Sequence, residues 1–167
     1  VSDGAVAGTT GQGRALEAVS GSVSWYGHGS SSLEVRAHVS NVGWQGWASG
    51  AAGTTGRSLA VEALQFRLSG EAASSYDVWY RVHCADYGWL GWAKDGEAVG
   101  TEGLGVQAEA LQVVLVEKGG DAPSSGAPAE LSVPSLSLRA HVAGIGWQDA
   151  VGDGGVAGTT GQSRAVE

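Results

Sequence analysis

Apolar and polar residues alternate with a period of two in three separate places: "LEVRAHV" from Leu33 to Val39, "DVWYRVHCA" from Asp77 to Ala85, and "LSLRAHV" from Leu136 to Val142. Each run is rich in residues that suit a pleated, half-buried surface, so each is predicted to be a β-strand. A second set, "LAVEALQFRL" from Leu59 and "VQAEALQVVLV" from Val106, also alternates. Its Ala, Glu and Leu could suggest helix, but its length and Gly-rich entry argue for strands. Between the two sets lie "GWQGWA" and "GWLGWA", short apolar pieces bounded by Gly. The pattern predicts three or four short antiparallel strands per stretch, joined by Gly turns.

The stretches are copies of one unit. His38, His83 and His141 are each followed six residues later by Trp44, Trp89 and Trp147. Gly53, Gly100 and Gly158 each open a Gly-Thr-x-Gly turn, and nine residues later stand Glu62, Glu109 and Glu167. The opening segment "VSDGAVAGTTGQGRALE", ending at Glu17, matches "VGDGGVAGTTGQSRAVE" from Val151 to Glu167 at 13 of 17 positions without a gap. The reading is therefore one repeat block with five parts. Residues 1–23 are the C-terminal half of a repeat, 33–70 and 76–118 are repeats, 119–134 is a Pro/Gly/Ser-rich loop read as a disordered insertion, and 135–167 is a repeat truncated at its C-terminal end. The matching ends imply a piece of a longer array, or two segments that compete for one structural slot. A unit this small cannot bury a core alone, so neighbouring units must share one. Glycine at both ends of the Gly-Thr-x-Gly element is expected to supply positive φ.

Composition narrows the function. The chain has 29 Gly but 3 Pro, and 7 Trp against a single Phe. Neither collagen nor a disordered chain has that balance, and Trp is favoured where a surface is half buried or meets a ligand. A net charge of −8, with nine scattered Lys and Arg, leaves no basic stripe for nucleic acid or anionic lipid. No apolar run reaches the roughly 20 residues of a membrane span. Cys84 is alone and sits in an apolar strand, so it is read as a small buried hydrophobe.

The pattern H-x₄-G-W, then G-T-T-G, then E-A-L resembles the clostridial hydrophobic repeat with a characteristic tryptophan, the ChW repeat, and does so over most of the chain. The resemblance implies a secreted or surface-attached protein of a Gram-positive bacterium that binds a surface or a partner. Two departures stand out: Ala150 replaces the second Trp given by Trp47 and Trp92, and Glu102 replaces the second Thr of the turn.

Candidate chemistry follows from these positions. In extended geometry Trp44 and Trp47, like Trp89 and Trp92, would face opposite ways. Trp44, Trp89 and Trp147 would then anchor the core, while Trp47 and Trp92 are the first candidates to stack on a sugar ring. All five are glycan-stacking candidates. His38, His83 and His141 are expected to cap a turn or to bond the Glu of their own unit, and Glu62 and Glu109 to accept from backbone or His donors inside the unit, because a carboxylate repeated amid apolar neighbours must be paired. No H-x₃₋₅-H spacing reads as a metal site. Asp3, Asp95 and Asp153 precede Gly in loops that offer one carboxylate each, too few oxygens for calcium, and are read as turn residues. Equivalent repeated acids do not make the two differently tuned carboxylates of a glycosidase, so the chain is read as non-catalytic, with no cofactor.

The expected fold is all-β, tandem repeats forming short sheets around a pseudo-threefold axis like a β-prism, with a sandwich or open solenoid as alternatives. The expected function is extracellular adhesion, through repeated shallow sites for a cell-wall or host glycan, or through a surface protein. The alternative is a structural stalk or assembly element, self-associating through its repeat ends.

Overall fold

Alternation in the sequence becomes alternation in burial. Along Ser31–Val39 the inward residues Val35, Ala37 and Val39 are buried, and along Tyr76–Cys84 so are Val78, Tyr80, Val82 and Cys84. The computed structural model describes residues 1–134, 136–152 and 154–166. Two units are compact in themselves, Val1–Ser132 and Val133–Glu167. No helix among the described residues is long and apolar enough to cross a membrane.

The opening half-repeat supplies β1 (Val6–Gly8) and β2 (Ala18–Ser20). The first full repeat supplies β3 (Ser31–Val39), β4 (Gly43–Trp44), β5 (Ala48–Ser49), β6 (Ala51–Gly53) and β7 (Val61–Gly70). One helical turn, α1 (Ala72–Ser75), leads into the second. That repeat contains β8 (Tyr76–Cys84), β9 (Gly88–Trp89), β10 (Ala93–Lys94), β11 (Val99–Glu102) and β12 (Ala108–Glu117). Five strands per repeat exceed the three or four expected, because the Gly-bounded Trp segment divides into two-residue pieces instead of running as one.

Within each full repeat the two long strands form a hairpin: β3 pairs with β7, and β8 with β12, both antiparallel. Each ladder has a bulge at the same place. His38 faces Ala63 while Val39 faces Val61, which leaves Glu62 as the extra residue. His83 faces Ala110 while Cys84 faces Ala108, which leaves Glu109. A bulge re-aims the side chain of its extra residue, and here it does so at the repeated Glu.

Between repeats, the Gly-Thr strand of one copy pairs with the long strand of the preceding one. Gly53 of β6 sits opposite Ala18 of β2, and Gly100 of β11 opposite Ala63 of β7. Gly8 of β1 sits opposite Ala110 of β12, which closes the cycle. The Leu16 amide donates to the Ala108 carbonyl at 2.8 Å, and the Val61 amide to the Leu16 carbonyl at 2.7 Å. Glycine opens each Gly-Thr strand for a steric reason. Gly8, Gly53 and Gly100 have φ of +102°, +106° and +125°, and a Cβ there would lie 2.3–2.4 Å from the carbonyl oxygen of Glu109, Glu17 or Glu62. The all-β, tandem-repeat fold expected from the sequence is present, but its third member in Val1–Ser132 is the opening half-repeat, not the 135–167 repeat expected to supply the third face. The third face carries only β2 and β6.

The core of this unit gathers side chains from both hairpins. Tyr80, fully buried, meets Phe66 edge-on at 5.1 Å between ring centroids. Its hydroxyl donates to the Glu97 carbonyl at 2.6 Å and accepts from the Gly96 amide at 3.1 Å. Cys84 is buried, and burial, reinforced by the charge of Glu109, pushes its thiol up to about 12. We expect it to resist a thiol reagent such as Ellman's at pH 8 in the folded chain and to react fully in urea; rapid labelling without denaturant would contradict this core.

The end of the 119–134 segment, expected as a disordered insertion, is docked on the second repeat. β13 (Glu130–Ser132) runs parallel to β11, with Glu130 opposite Gly100, and the Gly91 amide donates to the Pro128 carbonyl at 2.7 Å. Leu131 and Ala129 pack against the core, so the Pro/Ser/Gly composition masks a short alternating run.

In Val133–Glu167, β14 (His141–Val142) pairs with β15 (Gly146–Trp147), and bridges join Leu138 to Val151 and Val142 to Val166. Ala140 and Val142 are buried, but Leu136, Leu138, Ile145, Trp147, Val156 and Val166 are exposed. One repeat by itself buries little of its apolar surface.

Candidate functional site

The bulges bring each repeated His and Glu together. His38 Nδ1 lies 3.0 Å from Glu62 Oε2, and His83 Nδ1 lies 3.2 Å from Glu109 Oε2. Both glutamates are buried, and Glu109 also accepts from the Gly11 amide at 3.1 Å. Each histidine then packs edge-on against the Trp six residues on: His38 with Trp44 at 5.5 Å, His83 with Trp89 at 5.6 Å and His141 with Trp147 at 5.5 Å. The expected His–Glu bond forms in the first repeat, between His38 and Glu62; in the second, His83 Nδ1 lies close to Glu109 but makes no hydrogen bond, and Glu167 lies outside the described residues. Gly158, like its counterparts, has positive φ, at +114°. Among the described residues, no three His, Cys, Asp or Glu side chains converge as a metal site would need.

Outside each His lies a ladder of arginine and tryptophan. The Arg36 guanidinium carbon sits 4.9 Å from the Trp44 ring and 5.2 Å from Trp47, and Arg67 caps Trp47 at 4.2 Å. Arg81 repeats this at 4.6 Å from Trp89 and 4.8 Å from Trp92. One guanidinium spans both members of each pair, so the pair does not face opposite ways as extended geometry predicts. Gln45–Gly46 and Leu90–Gly91 interrupt the strand between the two rings and turn them to one side. The four rings are half-buried and absent from the core, which Val, Leu and Ala fill around Phe66 and Tyr80. Trp44 and Trp89 are therefore not the core anchors expected. The third repeat has a reduced ladder, Arg139 at 5.6 Å from Trp147, which is 64% exposed.

Side chains on the neighbouring strand hold the arginines. Arg36 Nε donates to Gln65 Oε1, and Arg81 Nε to Gln112 Oε1 at 2.9 Å. Gln112 Nε2 donates in turn to the Gly4 carbonyl at 2.6 Å, tying the opening half-repeat to the second ladder. Glu102, the departure in the second Gly-Thr turn, accepts from the Trp44 indole at 3.3 Å. The sequence reading missed these arginines and glutamines, yet their signal was periodic: Arg36, Arg81 and Arg139 each precede the repeated His by two residues, and Gln65 and Gln112 follow the Glu by three. Asp3 and Asp95 act as turn residues, accepting from the Leu115 and Val78 amides at 2.9 Å; Asp153 lies outside the described residues.

No curated protein and no solved structure matches the chain. The family model described as Clostridial hydrophobic W matches residues 1–20, 38–70, 83–117 and 141–167, the same four segments that carry the Gly-Thr turns and their Glu. By those matches, which cover most of its length, the chain belongs to the Clostridial hydrophobic W, or ChW, repeat family.

Proposed function

We propose that the chain is an extracellular, non-catalytic adhesion module that recognises glycans of a cell wall or host surface through its Arg–Trp ladders. The observation that carries this reading is the Trp–Arg–Trp stack repeated in both full repeats. A half-buried indole presents an apolar face of the size of a pyranose ring, at low entropic cost because few torsions must be fixed. The guanidinium between the rings offers fixed donors to hydroxyl or carboxylate groups, and the glutamine behind it fixes its plane through Nε alone. Two equivalent ladders on one rigid frame would add weak contacts into useful avidity on a polymeric glycan.

The test is saturable binding of the 167-residue chain to a panel of cell-wall and host glycans, with Trp47→Ala/Trp92→Ala as the comparison. Removing an aromatic contact at the centre of a site costs about 2 kcal/mol or more, roughly thirtyfold in affinity. We expect binding to fall at least that far while circular dichroism stays unchanged. Absence of binding by the intact chain across the panel would refute the reading.

A further inference from the structure

The two ladders share the Trp–Arg–Trp stack but end differently. Along β8 the side chains that alternate with the buried Val78, Tyr80 and Val82 are Asp77, Trp79, Arg81 and His83, so Trp79 follows Arg81 on the outer face. Its counterpart in β3 is Glu34, and in the third repeat Ser137. The neighbouring strand carries a matching change: Trp79 faces Val114, where Glu34 faces Arg67. In the first repeat Glu34 accepts from Arg67 Nε at 2.6 Å, and that guanidinium lies 4.2 Å from the Trp47 ring. The outer rung there is an ion pair laid against Trp47. In the second repeat it is a third indole, half-buried like the other two.

β10 completes that rung. Lys94 faces Trp79 across the strand pair, with its Nζ 5.5 Å from the ring, and Asp77, at 3.3 Å, holds the ammonium there. Trp92 precedes Lys94 by two residues and lies beside Arg81. Cation and ring thus alternate across the sheet, Arg81 on β8 with Trp92, then Trp79 on β8 with Lys94. Diagonal neighbours of this kind stand roughly 7–8 Å apart, close enough for linked sugars to lie on both indoles. Trp79 precedes the segment 83–117 matched by the family model, so this rung is a feature of the chain and not of the repeat pattern.

We propose that Trp79 is a further stacking position of the second ladder, which makes that ladder a site for two or more linked sugars, whereas the Glu34–Arg67 pair ends the first ladder one ring sooner. The inference rests on the glycan reading and adds to it a preference for chain length. Arg81 and Lys94, both pure donors, would meet the hydroxyl oxygens of the sugars between them.

The test examines one ladder at a time. Trp47→Ala leaves the second ladder intact, and Trp92→Ala the first. The probes are mono- to hexasaccharides of chitin, xylan, hyaluronan and the peptidoglycan glycan strand, titrated by NMR against the 167-residue chain. For the glycan that binds, Trp47→Ala should gain about tenfold in affinity or more from monosaccharide to tetrasaccharide, roughly the worth of one more aromatic contact, and Trp92→Ala less than about threefold. Adding Trp79→Leu to Trp47→Ala should abolish the gain while leaving monosaccharide affinity within about twofold. Adding Trp79→Phe instead, which restores a flat ring, should keep most of it. Both substitutions fill the position with apolar bulk, so a merely structural role would treat them alike. A gain that persists in Trp79→Leu, or an equal gain in the two ladders, would overturn this inference and leave glycan recognition standing. Failure of the unmodified chain to bind any probe would overturn both.

Discussion

Gly100→Ala is expected to destabilise the chain by about 3 kcal/mol or more, a large share of the roughly 5–15 kcal/mol that holds a domain folded. Two costs add at this position. A φ of +125° lies where only glycine is comfortable, a strain of about 1–3 kcal/mol for any other residue. The new Cβ would also sit 2.3 Å from the Glu62 carbonyl oxygen and 2.6 Å from the Ala63 Cα, both backbone atoms of the neighbouring copy, so relief requires opening the joint between repeats. Gly56→Ala is the control: it closes the same kind of turn at φ +66°, but with nothing within 4 Å of the added carbon, and should cost only about 1 kcal/mol. Urea unfolding of both variants separates the effects. Equal costs would mean that close approach between copies is not what the first glycine serves.

Tyr80→Ala should cost about 3–5 kcal/mol, the range for emptying a large aromatic site in a packed core. Tyr80 is the largest of the fully buried side chains; its ring touches Phe66 of the other hairpin, and its hydroxyl closes the loop at Gly96–Glu97. Tyr80→Phe keeps the ring but strands that loop's amide and carbonyl, and should cost about 1–3 kcal/mol. The phenol gives the pair a pH signature. Burial, the main cause, raises it from 10.0 to about 12, so the folded state holds the proton more tightly than the unfolded one. Its contribution is intact below pH 10 and is lost as pH climbs toward 12. The alkaline fall in stability over that window should be smaller in Tyr80→Phe than in the unmodified chain.

Most of this fold was legible in the sequence. Period-two runs located β3, β7, β8 and β12, the constant His-to-Trp spacing showed that they were copies, and paired glycines marked the turns. The His–Glu pair followed from the cost of burying a lone carboxylate. What could not be read was anything set by one copy packing on another. Extended geometry sent Trp44 and Trp47 to opposite faces, because nothing in "GWQGW" says that the strand breaks between the two rings and that one arginine bridges both. Loop composition hid β13, whose parallel place beside β11 depends on a pairing between distant segments. The three-way closure itself rests on Leu16, Val61 and Ala108, three unremarkable positions that acquire meaning only through contacts between repeats.

That closure is the central claim, since it fixes the frame on which both ladders stand. Amide hydrogen exchange at Leu16 and Val61, followed by NMR, tests it most directly. If the half-repeat is a full member of the ring, both amides should exchange only through global unfolding, with one shared free energy of opening. A Leu16 amide that exchanges freely, like a frayed chain end, while Val61 stays protected would contradict it.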